Sequence, residues 1–318
     1  DCDNDVTQHE LMEELPFYRG SEAQRKDLMT LATSFGYRNN IIIKKRTLDE
    51  IEFFNGETLM ETDLSGITVA VSKDIAYDFA IPDIKPPFDM LHKLTTTDGY
   101  HYTAHGFVNG HRTSENVIPG FDLLILDCDG DVSISTVKVL LEDYSFLIST
   151  TKRHTEELNR FRLILPISHR IKLTTRDYSR FMENVFEWLP FPVDEAAKDI
   201  SRKWESYPGH YEYNHGATID ATMFIPETKR SDETKAQISA TGVDNIERWF
   251  MAHTTKGNRA NHLYRYGMVM IDANMALGDI VEKLETFNNS LETPLLEDQF
   301  RNSTIKSISK EFQKRGVK

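Results

Sequence analysis

The sequence predicts an α+β fold followed by a small all-α bundle, and three stretches carry that prediction. Leu123 to Leu126 is an apolar run that ends abruptly in Asp127 and Asp129, as a buried strand with a polar end does. Between Thr175 and Leu189, the residues Tyr178, Phe181, Met182, Val185, Phe186 and Leu189 recur at helical spacing, which is the stripe of a helix packed on a core. Beyond residue 242 only helical periods remain: Ile246, Trp249 and Phe250, then Leu277, Ile280, Val281, Leu284 and Phe287, then Ile305, Ile308 and Phe312.

Composition bounds the reading. The chain has 318 residues, room for two domains, with 39% hydrophobic and 27% charged residues, as in ordinary globular proteins. No apolar stretch approaches the roughly 18 residues that a membrane span needs, and no signal-peptide pattern opens the sequence, so no membrane partner is expected. The two cysteines are Cys2 and Cys128. Alternation turns Cys128 away from the aspartates, so a packed, reduced thiol and a cytoplasmic setting are expected. The net charge of −13 is unevenly spread. Residues 1–150 hold 26 acidic and 12 basic side chains, whereas residues 151–318 hold 24 and 25. Lys152 to Arg180 alone has eight basic residues against three acidic, and phosphates respond to local density rather than to the total.

In chain order, helices are expected at Gln24–Phe35 and around Leu48–Phe54, and a strand at Gly66–Val71. Ile81–Pro87 reads as an irregular loop. Asn109-Gly110, inside the alternating stretch from Tyr100 to Arg112, predicts a two-residue hairpin turn, with Arg112 placed to reach a phosphate. Ser133–Tyr144 reads as a helix and Tyr144–Thr150 as a second buried strand, giving a strand–helix–strand unit. A third strand follows, with Phe161, Leu163 and Leu165 on one face and Arg160 and Arg162 on the other. Tyr211 to Pro226 reads as strand and loop. Residues 227–241 are polar with no hydrophobic period and mark the boundary between domains 1–230 and 242–318.

The chemistry centres on Asp127 and Asp129. Two residues apart on a strand, they project from the same face and repel each other, and a divalent cation of the hard kind, Mg²⁺ or Mn²⁺, relieves that repulsion. A helix-loop-helix calcium site is excluded, because its glycine and glutamate positions hold Val132 and Lys138. A haloacid-dehalogenase-like phosphatase, with Asp127 as nucleophile, is one alternative. A non-catalytic single-stranded-DNA-binding replication protein is another. A two-metal nucleotidyl-transfer site needs a third carboxylate, and Asp194 or Asp199 supplies it. If the second and third strands are neighbours, His154, Lys152, Arg160 and Arg162 converge on the aspartates, suited to a triphosphate, with Arg202 as a further candidate. Lys256, Arg259 and Arg265, with His262 and Tyr264 between them, form a basic and aromatic cluster suited to nucleic acid.

The order of these motifs, apolar strand with Asp-x-Asp, then Ser-Thr to His154 with Arg-Phe-Arg, then Val193-Asp194 and Asp199 to Arg202, resembles the archaeo-eukaryotic primase superfamily. Within it, the likeness is to the primase-polymerases of phages and plasmids. The resemblance covers roughly residues 100–210. The stretches GNRANHLYRYG, PLLEDQF and STIKSIS resemble the helical domain that follows the catalytic module in such primases. It implies an RRM-like sheet with flanking helices. By the same resemblance, Asp127, Asp129 and Asp194 are metal carboxylates and His154 is a nucleotide-binding residue. The implied activity is template-dependent DNA primase and polymerase, acting on single-stranded DNA with NTP or dNTP substrates and Mg²⁺ or Mn²⁺. No Gly-x-x-x-x-Gly-Lys-Ser/Thr loop occurs, so a replicative helicase is a partner expected in trans or in a longer chain.

Overall fold

The computed structural model describes residues 3–7, 43–45, 50–54, 60–226, 228–239 and 245–315. Asp3–Thr7 (β1), Ile43–Lys45 (β2) and Glu50–Phe54 (β3) form an antiparallel sheet in the order β1-β3-β2. The helix expected around Leu48–Phe54 is therefore a strand. Its Glu-Ile-Glu-Phe run alternates with period two, which the helical reading overlooked. The helix expected at Gln24–Phe35 lies outside the described residues.

The strands that follow are Met60–Glu61 (β4), Ala70–Ser72 (β5), His101–Thr103 (β6), Gly106–Phe107 (β7), Val117–Ile118 (β8), Phe121–Asp129 (β9), Phe146–Thr150 (β10), Arg160–Ile171 (β11), Trp204–Glu205 (β12) and Tyr211–Asn214 (β13). The main sheet runs β13-β10-β11-β4, and β9 also pairs with β11. Both β9 and β10 are antiparallel to β11, so β11 lies between them and they run parallel to each other. That is a split β-α-β unit, whose helix is Ile134–Leu140 (α1), capped by the Ser133 hydroxyl accepting from the Thr136 N–H at 3.0 Å.

The Asn109-Gly110 expectation is corrected in part. Both residues have positive φ, 52° and 66°, as the turn chemistry requires. The turn nevertheless joins no two-residue hairpin, because β7 pairs with β8 across the whole 108–116 segment. The strand expected at Gly66–Val71 is confined to β5.

Thr175–Trp188 (α2) buries Tyr178, Phe181, Met182 and Val185, as its period predicts, each such side chain contributing roughly 1.5–3 kcal/mol. The polar segment read as a linker contains a helix, Lys229–Ser239 (α3). Ile238 packs on the core, and the contact with α2 includes a buried polar one. The Asn184 side-chain amide donates to Phe224 O at 2.8 Å and to the Ser231 hydroxyl at 3.1 Å, so no hydrophobic period marked it.

Asn245–His253 (α4), Arg259–Asp272 (α5), Leu277–Ser290 (α6) and Lys306–Arg315 (α7) form the helical region. Its apolar residues and those of the sheet belong to one continuous core. Trp249 meets Trp188 edge-on, ring centroids 4.6 Å apart. Among the described residues, no helix is long and apolar enough to cross a membrane.

Candidate active site

The antiparallel register places Arg162 opposite Asp127 and Arg160 opposite Asp129. Directly opposed residues share a face of the sheet, so each aspartate meets an arginine. Arg162 Nε donates to Asp127 Oδ1 at 3.1 Å, and Arg160 Nη1 to Asp129 Oδ1 at 3.0 Å. The segment after α2 is tied to the end of β9 by the Asp194 N–H, which donates to Asp127 O at 2.9 Å. Arg202 Nη2 then lies 3.2 Å from Asp194 Oδ2 and 3.6 Å from Asp127 Oδ2, so one guanidinium joins two carboxylates. Burial pushes the Asp127 carboxyl above its ordinary value against the pull of Arg162 and Arg202, and repulsion from Asp129 is the smallest contribution. Arginines stand beside both carboxylates, so each aspartate meets a positive charge as well as its like-charged neighbour.

Asp127 and Arg162 line a cavity of about 390 Å³ together with Arg112, Asp199, Arg202, Lys203, Trp204 and Glu205. The small sheet β12-β6-β5 brings the later residues there, with Trp204 opposite Tyr102. Arg162 Nη1 donates to Glu205 O and, at 3.4 Å, to the Tyr102 hydroxyl. Burial works against the charge on Arg162, yet Tyr102 and Asp127 together hold its pKa above the ordinary value. Lys203 Nζ sits 3.2 Å from His101 Nδ1. Its pKa is pushed down by burial, opposed by Glu205 and helped by Arg112, Arg162 and Arg202. Trp204 is only 3% exposed, and its indole N–H has no hydrogen-bond partner among the described residues. A buried donor left unpaired costs about 1–3 kcal/mol. The four cations on the cavity wall suit an anionic ligand.

The residues expected to converge are divided. Arg162, Arg202 and Arg112 face this cavity, the last anchored by Ser201 O at 2.9 Å and Ile75 O at 2.8 Å. His154 and Lys152 line a different cleft of about 760 Å³, with Tyr207 and His210, that shares no lining residue with the first. His154 Nδ1 accepts the Arg160 N–H at 3.1 Å, so it braces the hairpin that carries Arg160 instead of standing beside Asp127. Asp194 Oδ1 accepts the Ala196 N–H at 2.9 Å as a helical cap, leaving Oδ2 toward Arg202. Asp199 lines the cavity, but its Oδ1 accepts from the N–H and hydroxyl of Ser201 at 2.9 and 2.8 Å.

The basic cluster expected on the helical region is not a surface. Arg265 is buried, donating to Val139 O at 2.9 Å, Leu140 O at 3.1 Å and Asp143 Oδ2 at 2.8 Å, so it caps the C-terminal end of α1. His262 is buried beside it. Arg259 is half-buried and donates to Thr293 O and Pro294 O, which leaves Lys256 as the exposed member. The sequence reading missed Lys203, Trp204, His101 and Tyr102. The run Arg202-Lys203-Trp204 directly follows the third motif, and that adjacency was the available signal.

Hard oxygen donors are the right kind for Mg²⁺ or Mn²⁺, and Asp127 and Asp129 share a face. Among the described residues, no three His, Cys, Asp or Glu side chains are gathered tightly enough to hold a metal ion as they stand. Arginines occupy the carboxylates, so any cation site there forms only as Arg160 and Arg202 let go. No protein-family model, curated protein or solved structure matches the chain.

Proposed function

We propose that the chain is a template-dependent nucleotidyltransferase, a DNA primase and polymerase acting on single-stranded DNA. The observation that carries the reading is the cavity itself: Asp127 at its wall, with Arg112, Arg162, Arg202 and Lys203 around it. Nucleotidyl transfer asks chiefly for charge stabilisation on the transferring phosphate, and such a wall supplies it without covalent chemistry. The split β-α-β unit supports an RRM-like primase core. Asp127, Asp129 and Asp194 would hold Mg²⁺ or Mn²⁺, which would activate the primer 3′-hydroxyl and stabilise the leaving pyrophosphate.

Arg162 has two anchors besides Asp127, Glu205 O and the Tyr102 hydroxyl, so it keeps its place when the carboxylate turns to another partner. Arg202 is the more exposed of the pair, its side chain 35% accessible against 14%, and is free to follow a phosphate. A triphosphate would accept from both, as from Lys203. His154 acts in this scheme through Arg160, whose place opposite Asp129 it braces. A replicative helicase remains the expected partner, and a phage or plasmid replication system the expected setting.

The test is direct. The protein is incubated with unprimed single-stranded DNA, labelled NTPs or dNTPs, and Mg²⁺ or Mn²⁺. Short metal-dependent products are expected. Neither synthesis nor extension of a supplied primer, under any of these combinations, sinks the reading.

A further inference from the structure

The edge strand β13 carries a group of rings that the active site does not use. Tyr211 is 40% exposed, and the His92 ring lies flat against it, centroids 4.2 Å apart and planes 15° from parallel. His92 is held there by Tyr213, whose hydroxyl accepts the His92 backbone N–H at 2.9 Å and donates to Phe88 O at 2.9 Å. His215, with its side chain 69% exposed, stacks on Tyr213 in turn, planes 13° apart. Alternation along β13 keeps Tyr211, Tyr213 and His215 on one face. The register shows which face it is: Tyr211 is opposite Ser149, Ser149 opposite Arg162, and Arg162 opposite Asp127. The ring pair and the catalytic pair therefore stand on one row of the sheet, three inter-strand spacings or about 14 Å apart.

We propose that the Tyr211–His92 ledge is a stacking platform for the bases of single-stranded nucleic acid. Aromatic rings buried for packing cover both their faces, whereas Tyr211 is backed by His92 and stays 40% exposed. One exposed cation adjoins the ledge: Lys93, next to His92, with no ion pair among the described residues. At the far end Asp89 stands 3.6 Å from His215, so the positive charge lies on the Lys93 side. Exposed flat rings beside a positive charge match a strand whose bases stack while a phosphate is neutralised. On the nucleotidyl-transfer reading this strand is the template, held a short way from the reacting nucleotide. The binding itself does not depend on that reading.

The experiment uses the full chain without nucleotide or metal, titrated into a fluorescein-labelled oligodeoxythymidylate and followed by fluorescence anisotropy. Tyr211→Ala should weaken binding about 10-fold or more, and Tyr211→Trp should retain it, as base stacking on an aromatic ring implies. His92→Ala should give a smaller loss. Lys93→Gln should reduce the slope of log affinity against log salt by about 0.7, one phosphate contact on a single strand. Circular dichroism confirms that each variant folds, which the exposure of Tyr211 favours. Unchanged affinity of Tyr211→Ala overturns the ledge, and so does an equal loss on a duplex probe, because a duplex offers no free base to stack. A wild-type chain that binds in this way yet synthesises nothing leaves the ledge standing and removes the catalytic reading instead.

Discussion

Two arginines, the half-buried Arg162 and the buried Arg265, occupy corresponding roles in two regions and end in opposite conditions. Arg265 crosses from the helical region to α1, and its guanidinium is used up by two carbonyls and by Asp143, with Glu142 Oε2 also at 3.2 Å. Arg162 likewise meets one carboxylate, one carbonyl and one hydroxyl. The difference lies in what surrounds each. Around Arg265 the core closes. Around Arg162 stand three more cations and a cavity. Charge that is fully partnered holds a fold together, whereas surplus donors around a cavity mark a place for a ligand. The same residue type thus separates a structural joint from the wall of a candidate site.

The widest separation between the two should come at Asp127. Asp127→Ala is expected to lower nucleotide incorporation about 10⁴-fold, near 5.4 kcal/mol of barrier, measured with primed and unprimed templates. It should also cost about 1–3 kcal/mol of stability, since Arg162 loses its main counter-charge in a largely buried setting. A variant more stable than the parent would mean that aspartate repulsion outweighs the arginine contacts after all.

At the joint, Arg265→Met should cost about 3–5 kcal/mol in urea unfolding, because Asp143 and the carbonyls ending α1 lose their donor. A loss under about 1 kcal/mol would show that the helical region is held by its apolar core alone. In the cavity, Arg202→Ala should do the reverse. Its stability should change by less than about 1 kcal/mol, as for an exposed ion pair, while incorporation falls about 100-fold. The same contrast sorts the third carboxylate. Asp194→Asn should reduce incorporation more than Asp199→Asn, since Asp194 shares Arg202 with Asp127 while an Asp199 oxygen is taken up by Ser201. The opposite ranking would move the third ligand to Asp199.

How far these regions could be read in advance follows from the range of the interactions involved. The end of β9 and the stripe of α2 are local patterns, and alternation alone puts Arg160 and Arg162 on one face. Which strand lies beside which is not local. The insertion of β11 between β9 and β10 decides that Arg162 meets Asp127, and the turn before β11 sends His154 into another cleft. Lys203 and Trp204 reach the site through pairing of β12 with β6, which a pattern of two strand residues cannot announce. Arg265 looked exposed because its partners are backbone carbonyls more than a hundred positions away. The boundary near residue 230 was drawn where polarity rises, yet α3 there packs through Ser231 and Asn184, and the helical region shares its core with the sheet.

Two buried histidines give the finest test of that shared core, one in each region. His105 packs against the rings of Phe121 and Tyr178, and burial pulls its pKa down to about 3. In the helical region, burial and the neighbouring Arg265 pull His262 down to about 4. Both are neutral in the folded chain at pH 5, whereas in the unfolded chain each takes up a proton below about 6.5. The unfolded state therefore binds more protons, so the stability that each contributes is complete above pH 6.5 and is lost as pH falls. The slope is about 1.4 kcal/mol per pH unit for each, for both down to pH 4 and for His105 alone down to pH 3. Between pH 6.5 and 5, each should account for about 2 kcal/mol. His105→Phe keeps the aromatic packing and removes one of these titrations, so urea unfolding across that interval should lose about 2 kcal/mol of its pH dependence. If the two regions unfold as one unit, fluorescence of the tryptophans at 188 and 249 and far-ultraviolet circular dichroism should report the same midpoint at each pH. Separate midpoints would mean that Arg265 and the tryptophan contact do not bind the regions into one cooperative core, and an unchanged slope in His105→Phe would place the acid lability elsewhere.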